Sequence, residues 1–452
     1  MMQRLESQGN NVSVLDTIYA TDQSPAIRHI RAQLPKHHID EKSKRQFAQN
    51  VWTKRLTAAD LTQLYAGCDY ELGLLMQNHS QQVVEVLNSD WDVIVVDDLF
   101  WSFGFAFSTL SHRLWHSSRR GREPHIVVYA TAQSALNTHI SIRSTGQCWV
   151  GRPTISPVYP TDAADVFSAD RFIHRIYALY EIFQEAVAVD FVAINLLMSN
   201  IAKFGVPNFS WSEFYWRSQL FLHDNIDRLG LPVATGVDTI SVGAHCKAPK
   251  DPSALPLKFK QFMEGSNSKD IFWYAHRLEI CTQTFSCDIY RHFPATNGIP
   301  YYFCMQRMHS ARKSEHYRTY AFITHGGNKS IREGMCAGVP LIVMPIYAEQ
   351  SHTAHLLLKL NIASVINKFS FDEESLFNTI YNVVSRPETV ARAKNVRELF
   401  MDRPMPAIDE GVFAVERLVR GHSRGFTQFV RRKGMALGKQ CFNDRLFAKV
   451  YI

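Results

Sequence analysis

The sequence predicts an α/β protein made of two similar layered halves, and three observations point there. Short apolar runs alternate with stretches of helical period along the chain. Two of the runs, 92–97 (DVIVVD) and 339–344 (VPLIVM), are apolar almost throughout, as parallel strands covered on both faces are. A proline- and lysine-rich stretch, 246–258, separates two apolar regions of similar size.

Taken in order, the strand candidates are 11–15 (NVSVL), 92–97, 125–131 (HIVVYAT), 319–324 (TYAFIT) and 339–344. Helical patterns fall at 58–76, 169–190, 212–229, 330–337, 350–360 and 387–400. The 212–229 pattern is punctuated at both ends, with Ser212 as N-cap and Gly230 and Pro232 as stops. The expected organisation is a domain at 1–245, a linker at 246–258, a second domain at 259–420 and a basic tail at 421–452. Two such halves facing each other would form a cleft suited to a small molecule. Asp90-Trp91-Asp92 precedes its strand instead of following it, so it reads as turn chemistry, and no metal site is expected.

Composition narrows the function classes. With 452 residues, 46% apolar and 20% charged, the chain is core-forming and not disordered. The formal charge is 49 − 42 = +7, but 421–452 holds seven cations against Asp444, or +6, leaving about +1 for the rest. A nucleic-acid footprint belongs on the folded body, so no nucleic-acid partner is expected. The tail reads as solvated in preference to bound on anionic lipid. No apolar run reaches the roughly 18 residues that span a bilayer, and MMQRLESQGNN holds no signal-peptide core. Eight cysteines without CxxC spacing read as buried thiols.

The stretch 319–356 carries the chemistry. A strand ends at Thr324, a His325-Gly326-Gly327 turn follows, and a short helix begins near Ser330. A turn of this kind opening onto a helix N-terminus presents free N–H groups and the positive end of the dipole, which bind phosphate without a metal. Glu333 on the helix and Glu349-Gln350 after the next strand stand at the carboxyl edge, where they can grip sugar hydroxyls. A plain glycine turn with a solvent-facing histidine fits the same residues.

This stretch resembles the signature of the UDP-glycosyltransferase family (family 1 glycosyltransferases), and in particular nematode UDP-glucuronosyltransferases. The resemblance extends through FMDRPMPAIDEGVFAVERLVR and into WDVIVVDDLFWSFG, RFIHRIYALYE, DRLGLP and VGAHCKAP, about three-quarters of the chain. It implies a GT-B fold of two Rossmann-like domains, the C-terminal one for a UDP-sugar co-substrate and the N-terminal one for a small lipophilic acceptor. It implies hexosyl transfer with inversion from UDP-glucuronate or UDP-glucose to a hydroxyl, with no further cofactor. His325 would contact the diphosphate, Gly326 and Gly327 would make the close turn, and Ser330 would lie near phosphate. Glu333 would meet the ribose, and Glu349 with Gln350 the transferred sugar. Lys329 stands where the family usually has Asn, and adds a cation beside the diphosphate. Asp97, with Asp98 as the alternative, would orient the catalytic base. By family, an endoplasmic-reticulum luminal membrane location and pairing with related transferases are expected.

The sequence departs from the family at three places. NVSVL matches the strand after the catalytic loop, so no histidine matches the base, and His29, His37 and His38 read as surface residues. Between 270 and 314 the uracil-stacking segment is not recognisable, with Arg307, His309 and Ser310 at the matching distance. Neither a signal peptide nor an apolar anchor is visible. These departures raise a second expectation, a non-catalytic UDP-sugar-binding relative or partner of an active homologue. Four NxS sequons (Asn11, Asn78, Asn208, Asn328) say little, since a glycan on Asn328 would block the turn. The aromatic run 209–216 fits core packing and an acceptor wall equally well.

Overall fold

The computed structural model describes residues 1–17, 25–34, 41–98, 102–118, 123–131, 167–224, 226, 229, 238–246, 269–274, 291–293, 301–305, 319–370 and 372–423. The helices among them are α1 (Met2–Ser7), α2 (Glu41–Thr53), α3 (Leu61–Asn78), α4 (Ser80–Asn88), α5 (Ser102–Ser118), α6 (Phe172–Glu185), α7 (Asn200–Lys203) and α8 (Trp211–Arg217) in the first half. The second half carries α9 (Asn328–Ala337), α10 (Gln350–Lys359), α11 (Glu373–Val384), α12 (Pro387–Met401) and α13 (Ala407–Ser423).

Two larger sheets organise the chain. In the first half, β3 (Val93–Asp97), β4 (His125–Ala130), β5 (Leu220–His223) and β6 (Thr239–Ser241) lie side by side in that order, all parallel. A separate parallel pair joins β1 (Ser13–Asp16) to β2 (Arg28–Arg31). In the second half the order is β12-β11-β10-β7-β9-β8. These strands are β7 (Lys269–Tyr274), β8 (Arg291–Phe293), β9 (Tyr301–Met305), β10 (Thr319–Thr324), β11 (Leu341–Val343) and β12 (Ala363–Val365), and only β8 runs antiparallel to its neighbour. The predicted apolar runs at 92–97, 125–131, 319–324 and 339–344 thus become β3, β4, β10 and β11.

The 212–229 helix does not form. Helix α8 ends at Arg217 and the chain re-enters the sheet at Leu220. Leu220, Phe221 and Leu222 are buried between β4 and β6, which a solvent-facing helix could not achieve. Gln219 starts this ladder: its N–H donates to the Ile126 carbonyl at 2.8 Å, and its side-chain oxygen accepts the Ile126 N–H at 2.7 Å. Tertiary burial here overrides local helical pattern. The cap is Ser210, whose hydroxyl accepts the Glu213 N–H, and not Ser212. The 169–190 helix also divides: α6 passes into a π-helical segment, Ala186–Leu197.

The first core is aromatic. Phe105, Trp211, Phe214 and Tyr65 interlock between α3, α5 and α8, with the Phe105 and Trp211 rings 4.8 Å apart and edge-on. The 209–216 run is therefore core packing. On the opposite face, α13 returns from the second half to cover β4–β6, where Val412, Val415 and Leu418 pack with Leu5, Val127 and Leu222. A third cluster joins the halves, with Ile226 and Ala244 against Phe322, Ile331 and Met335.

Two cysteine expectations divide. Cys246, the first residue of the expected linker, forms a disulfide with Cys336 on α9, closing a span of 90 residues. Cys246 follows the β6 strand end and Cys336 lies on the helix packed against it, so spacing in sequence gave no hint of the pairing. Cys68 is free and half-buried, its thiol pushed up to about 12 by burial. The rest of the linker and residues 424–452 of the tail lie outside the described residues.

Candidate functional site

Strand β10 brings the chain to the carboxyl edge at Thr324, which is fully buried. Its hydroxyl oxygen accepts the Gly326 N–H at 3.2 Å and starts the turn. Gly326 has φ +93, and a Cβ there would stand 2.8 Å from Val343 Cγ1 and 3.3 Å from the Gln350 carbonyl. Only glycine suits that backbone in that space. At Gly327 a Cβ would meet His325 Nε2 at 2.5 Å, so the half-buried His325 ring folds over the turn. The predicted His-Gly-Gly turn is thus present and close-packed.

Gly327 is also the N-cap of α9 and has no side chain of its own to cap it, and the Asn328 N–H goes to the Glu349 carboxyl. Helix starts ordinarily borrow a Ser, Thr, Asp or Asn oxygen for their orphan N–H groups. The polar side chains here are instead buried without a partner. The Asn328 side chain is 6% exposed and Ser330 1%, and neither Asn328 Nδ2 nor Ser330 Oγ has a hydrogen-bond partner. Lys329 between them is exposed. Donors concentrated at a helix N-terminus, unmatched by any protein acceptor, suit an anion with several oxygens. Ser330 is among the expected site residues, whereas Asn328 appears in the sequence only as part of a sequon.

The second wall is the loop between β11 and α10. Gln350 is buried, and its Oε1 accepts the N–H groups of Ile346 (2.8 Å) and Tyr347 (3.1 Å). Its oxygen is therefore committed to shaping the loop, and its NH₂ is the part able to donate to a ligand. Burial raises the Glu349 carboxyl from 4.5 to about 7, against the pull of N–H bonds from its own backbone and from Asn328. Glu349 thus touches the first residue of α9. Glu333 is half-buried in the second turn of α9.

Facing this edge is the end of the first sheet. Asp97 closes β3, is exposed, and accepts the Thr131 hydroxyl at 3.1 Å. Asp98 is buried, and its charge raises the hydroxyl pKa of Tyr65 and Tyr215 after burial itself. Asp224 follows β5, is buried, accepts the Tyr129 hydroxyl at 3.1 Å and pairs with Arg332 of α9. His245 Nδ1 sits 3.8 Å from Asp224 and donates to the Val242 carbonyl at 2.7 Å. Burial, then Arg332, lowers the His245 pKa. This Asp224–Arg332 tie between the halves was not legible in the sequence. Nor was the partner of His29, which lies 2.6 Å from Asp16 Oδ2 with 14% of its side chain exposed. His29 is a buried pair member and not the surface residue expected. His37, His38, Arg307, His309 and Ser310 lie outside the described residues.

Among the described residues no three His, Cys, Asp or Glu side chains are grouped to hold a metal ion. No helix among them is long and apolar enough to cross a membrane.

Comparison with known proteins bears on this geometry. Residues 314–430, which include the turn, α9 and α10, match the family described as UDP-glucoronosyl and UDP-glucosyl transferase. Mouse UDP-glucuronosyltransferase 1A9 is 31% identical over 105 residues, 23% of this chain and 20% of that one. A UDP-glucuronosyltransferase of Pleuronectes platessa is 23% identical over 194 residues, 39% of this chain and 41% of its own. The matched segments thus span between a fifth and two-fifths of these relatives. Among solved structures, that of LpCGTa in complex with UDP shares the fold at a TM-score of 0.51 and 11% identity, covering 92% of this chain and 94% of that one. The turn, α9 and α10 thus fall inside a segment similar to the family 1 glycosyltransferases, and the two Rossmann-like sheets share the GT-B fold of the solved structure.

Proposed function

We propose that the chain binds a UDP-sugar at the turn 325–327 and transfers its hexosyl group, glucuronosyl or glucosyl, to a hydroxyl of a small lipophilic acceptor. The observation that carries this reading is the pair of side-chain donors at the start of α9, the Asn328 NH₂ and the Ser330 hydroxyl, buried and unmatched. The diphosphate supplies the acceptors these donors lack. His325 lies over the turn to meet it, Glu333 reaches the ribose, the Gln350 NH₂ reaches the sugar, and Glu349 stands at the head of α9.

In the transfer the acceptor hydroxyl loses its proton to a base while its oxygen bonds to the anomeric carbon. The bond from that carbon to the phosphate oxygen breaks, and UDP leaves with the electron pair. Attack from the face opposite UDP inverts the centre. Charge grows on the leaving diphosphate, and donors already fixed around it stabilise that charge without reorganising. Asp97 stands across at the end of β3 to orient the base.

Calorimetric titration of UDP into the full chain tests the reading, with Gly326→Val as the control that fills the turn. Saturable binding in the wild type, lost in the variant, is expected. A folded wild-type chain that binds no UDP, or a Gly326→Val chain that binds it equally well, would sink the proposal.

A further inference from the structure

We infer that Lys368 is a positioning residue for the donor loop, its ammonium tying the end of α2 to the Ile346–Tyr347 peptide and so fixing where Gln350 meets the sugar. This rests on the donor reading above and names what holds its sugar end in place.

Lys368 follows β12 and is only 6% exposed. Its Nζ donates to three carbonyls: Val51 (2.5 Å), Lys54 (3.0 Å) and Ile346 (2.5 Å). An ammonium has three N–H groups, so its donor capacity is filled. Val51 and Lys54 lie at the end of α2, where the last carbonyls lack helical partners and the dipole is negative. A cation at that place caps the helix, and two of its bonds do no more than that.

The third bond reaches elsewhere. Ile346 belongs to the loop between β11 and α10, and its carbonyl shares one peptide unit with the Tyr347 N–H. Gln350 Oε1 accepts that N–H at 3.1 Å. One peptide is therefore gripped at its oxygen by Lys368 and at its nitrogen by Gln350. A cation on the carbonyl polarises the peptide, strengthens the N–H bond to Gln350, and makes the Gln350 NH₂ a better donor. The Tyr347 ring meets Phe47 of α2 edge-on, with centroids 6.2 Å apart, so the helix touches the loop a second time. Burying an ammonium is unfavourable, and desolvation lowers this one to about 8. A helix cap alone is ordinarily made at the surface, without that penalty.

The test is calorimetry on the full chain with UDP and with whichever of UDP-glucose and UDP-glucuronate the wild type binds better. Lys368→Met is expected to leave UDP affinity within about twofold and to lower the ratio of UDP-sugar to UDP affinity roughly tenfold, the scale of one lost charge-assisted bond. Lys368→Arg should restore part of the ratio. Gln350→Leu should lower it similarly, and adding Lys368→Met to that background should change nothing more. An unchanged ratio, an equal loss of both ligands, or full additivity with Gln350→Leu overturns the inference. If Lys368→Met shows no cooperative melt, Phe47→Leu reads the same contact from the helix, and a ratio unchanged there overturns it too. A wild-type chain that binds no UDP removes the donor reading and this inference together, whereas normal wild-type binding with an unchanged ratio removes this inference alone.

Discussion

The carboxyl ends of the two parallel sheets differ in what their polar groups are doing. At the end of β10 the side-chain donors of Asn328 and Ser330 are buried and unmatched, and the N-cap of the helix behind them is a glycine. At the end of β5 the polar groups are already matched to one another: Tyr129 donates to Asp224, and Asp224 pairs with Arg332 across the halves. Unmatched buried donors are unfavourable without a ligand and become favourable with one. Matched groups hold the fold and leave little for a ligand. On the proposed function the first edge binds and the second holds the halves together, and substitutions should separate the two roles.

The largest effect is expected from Asp97, an exposed carboxylate at the end of β3. Asp97→Asn should lower transfer to an acceptor by roughly 10²–10⁴-fold, the range of acid–base assistance, while leaving UDP affinity unchanged. Turnover assays beside calorimetry read both. An unchanged rate would remove Asp97 from the chemistry and leave it as the partner of Thr131.

Asp224→Asn should act in the opposite sense. It leaves the Arg332 charge in a mostly buried place, and breaking a buried pair costs about 3–5 kcal/mol when both partners are dry. Arg332 keeps 17% of its side chain exposed, so about 2–3 kcal/mol is the expected loss in urea unfolding. UDP affinity should fall little. A large loss of UDP affinity at full stability would show that the tie serves the donor site directly.

Ser330→Ala sharpens the contrast from the other edge. Removing a buried hydroxyl without a partner should leave the free chain as stable or slightly more stable. UDP affinity should fall roughly tenfold, for one bond to a charged group. A melt lowered by several degrees with normal UDP binding would mean that Ser330 belongs to the core.

The strand, turn and helix of the proposed donor edge were legible because they are local. Strand, turn and helix fall within 319–337, and the His325-Gly326-Gly327 sequence states its own geometry. The strand at Leu220–His223 was not legible, since a run of four with three successive buried residues has no alternation to distinguish it from helix. Lys368 and its α2 partners are separated by over 300 residues, and Cys246 and Cys336 by 90, so only the fold joins them. Asn328 was visible only as part of a sequon that says little, because nothing in the sequence says that its amide is buried.

The smallest effect is a pH dependence at Glu349, which also decides where that carboxyl acts. Burial raises it from 4.5 to about 7, so between those values the folded chain keeps a proton that the unfolded chain has released. This contribution to stability is present at low pH and is lost as pH rises through 7. Ligand binding should follow the same sign. The ionised carboxylate takes the Asn328 N–H at the head of α9, where the diphosphate must bind, and repels it. UDP-glucose suits the measurement, because its diphosphate has no group titrating near neutral pH. Its affinity should rise severalfold from pH 8 to pH 6, and Glu349→Gln should flatten the profile near its low-pH value. Affinity that rises with pH instead would place the ionised carboxylate on the sugar hydroxyls, with the head of α9 open to the diphosphate.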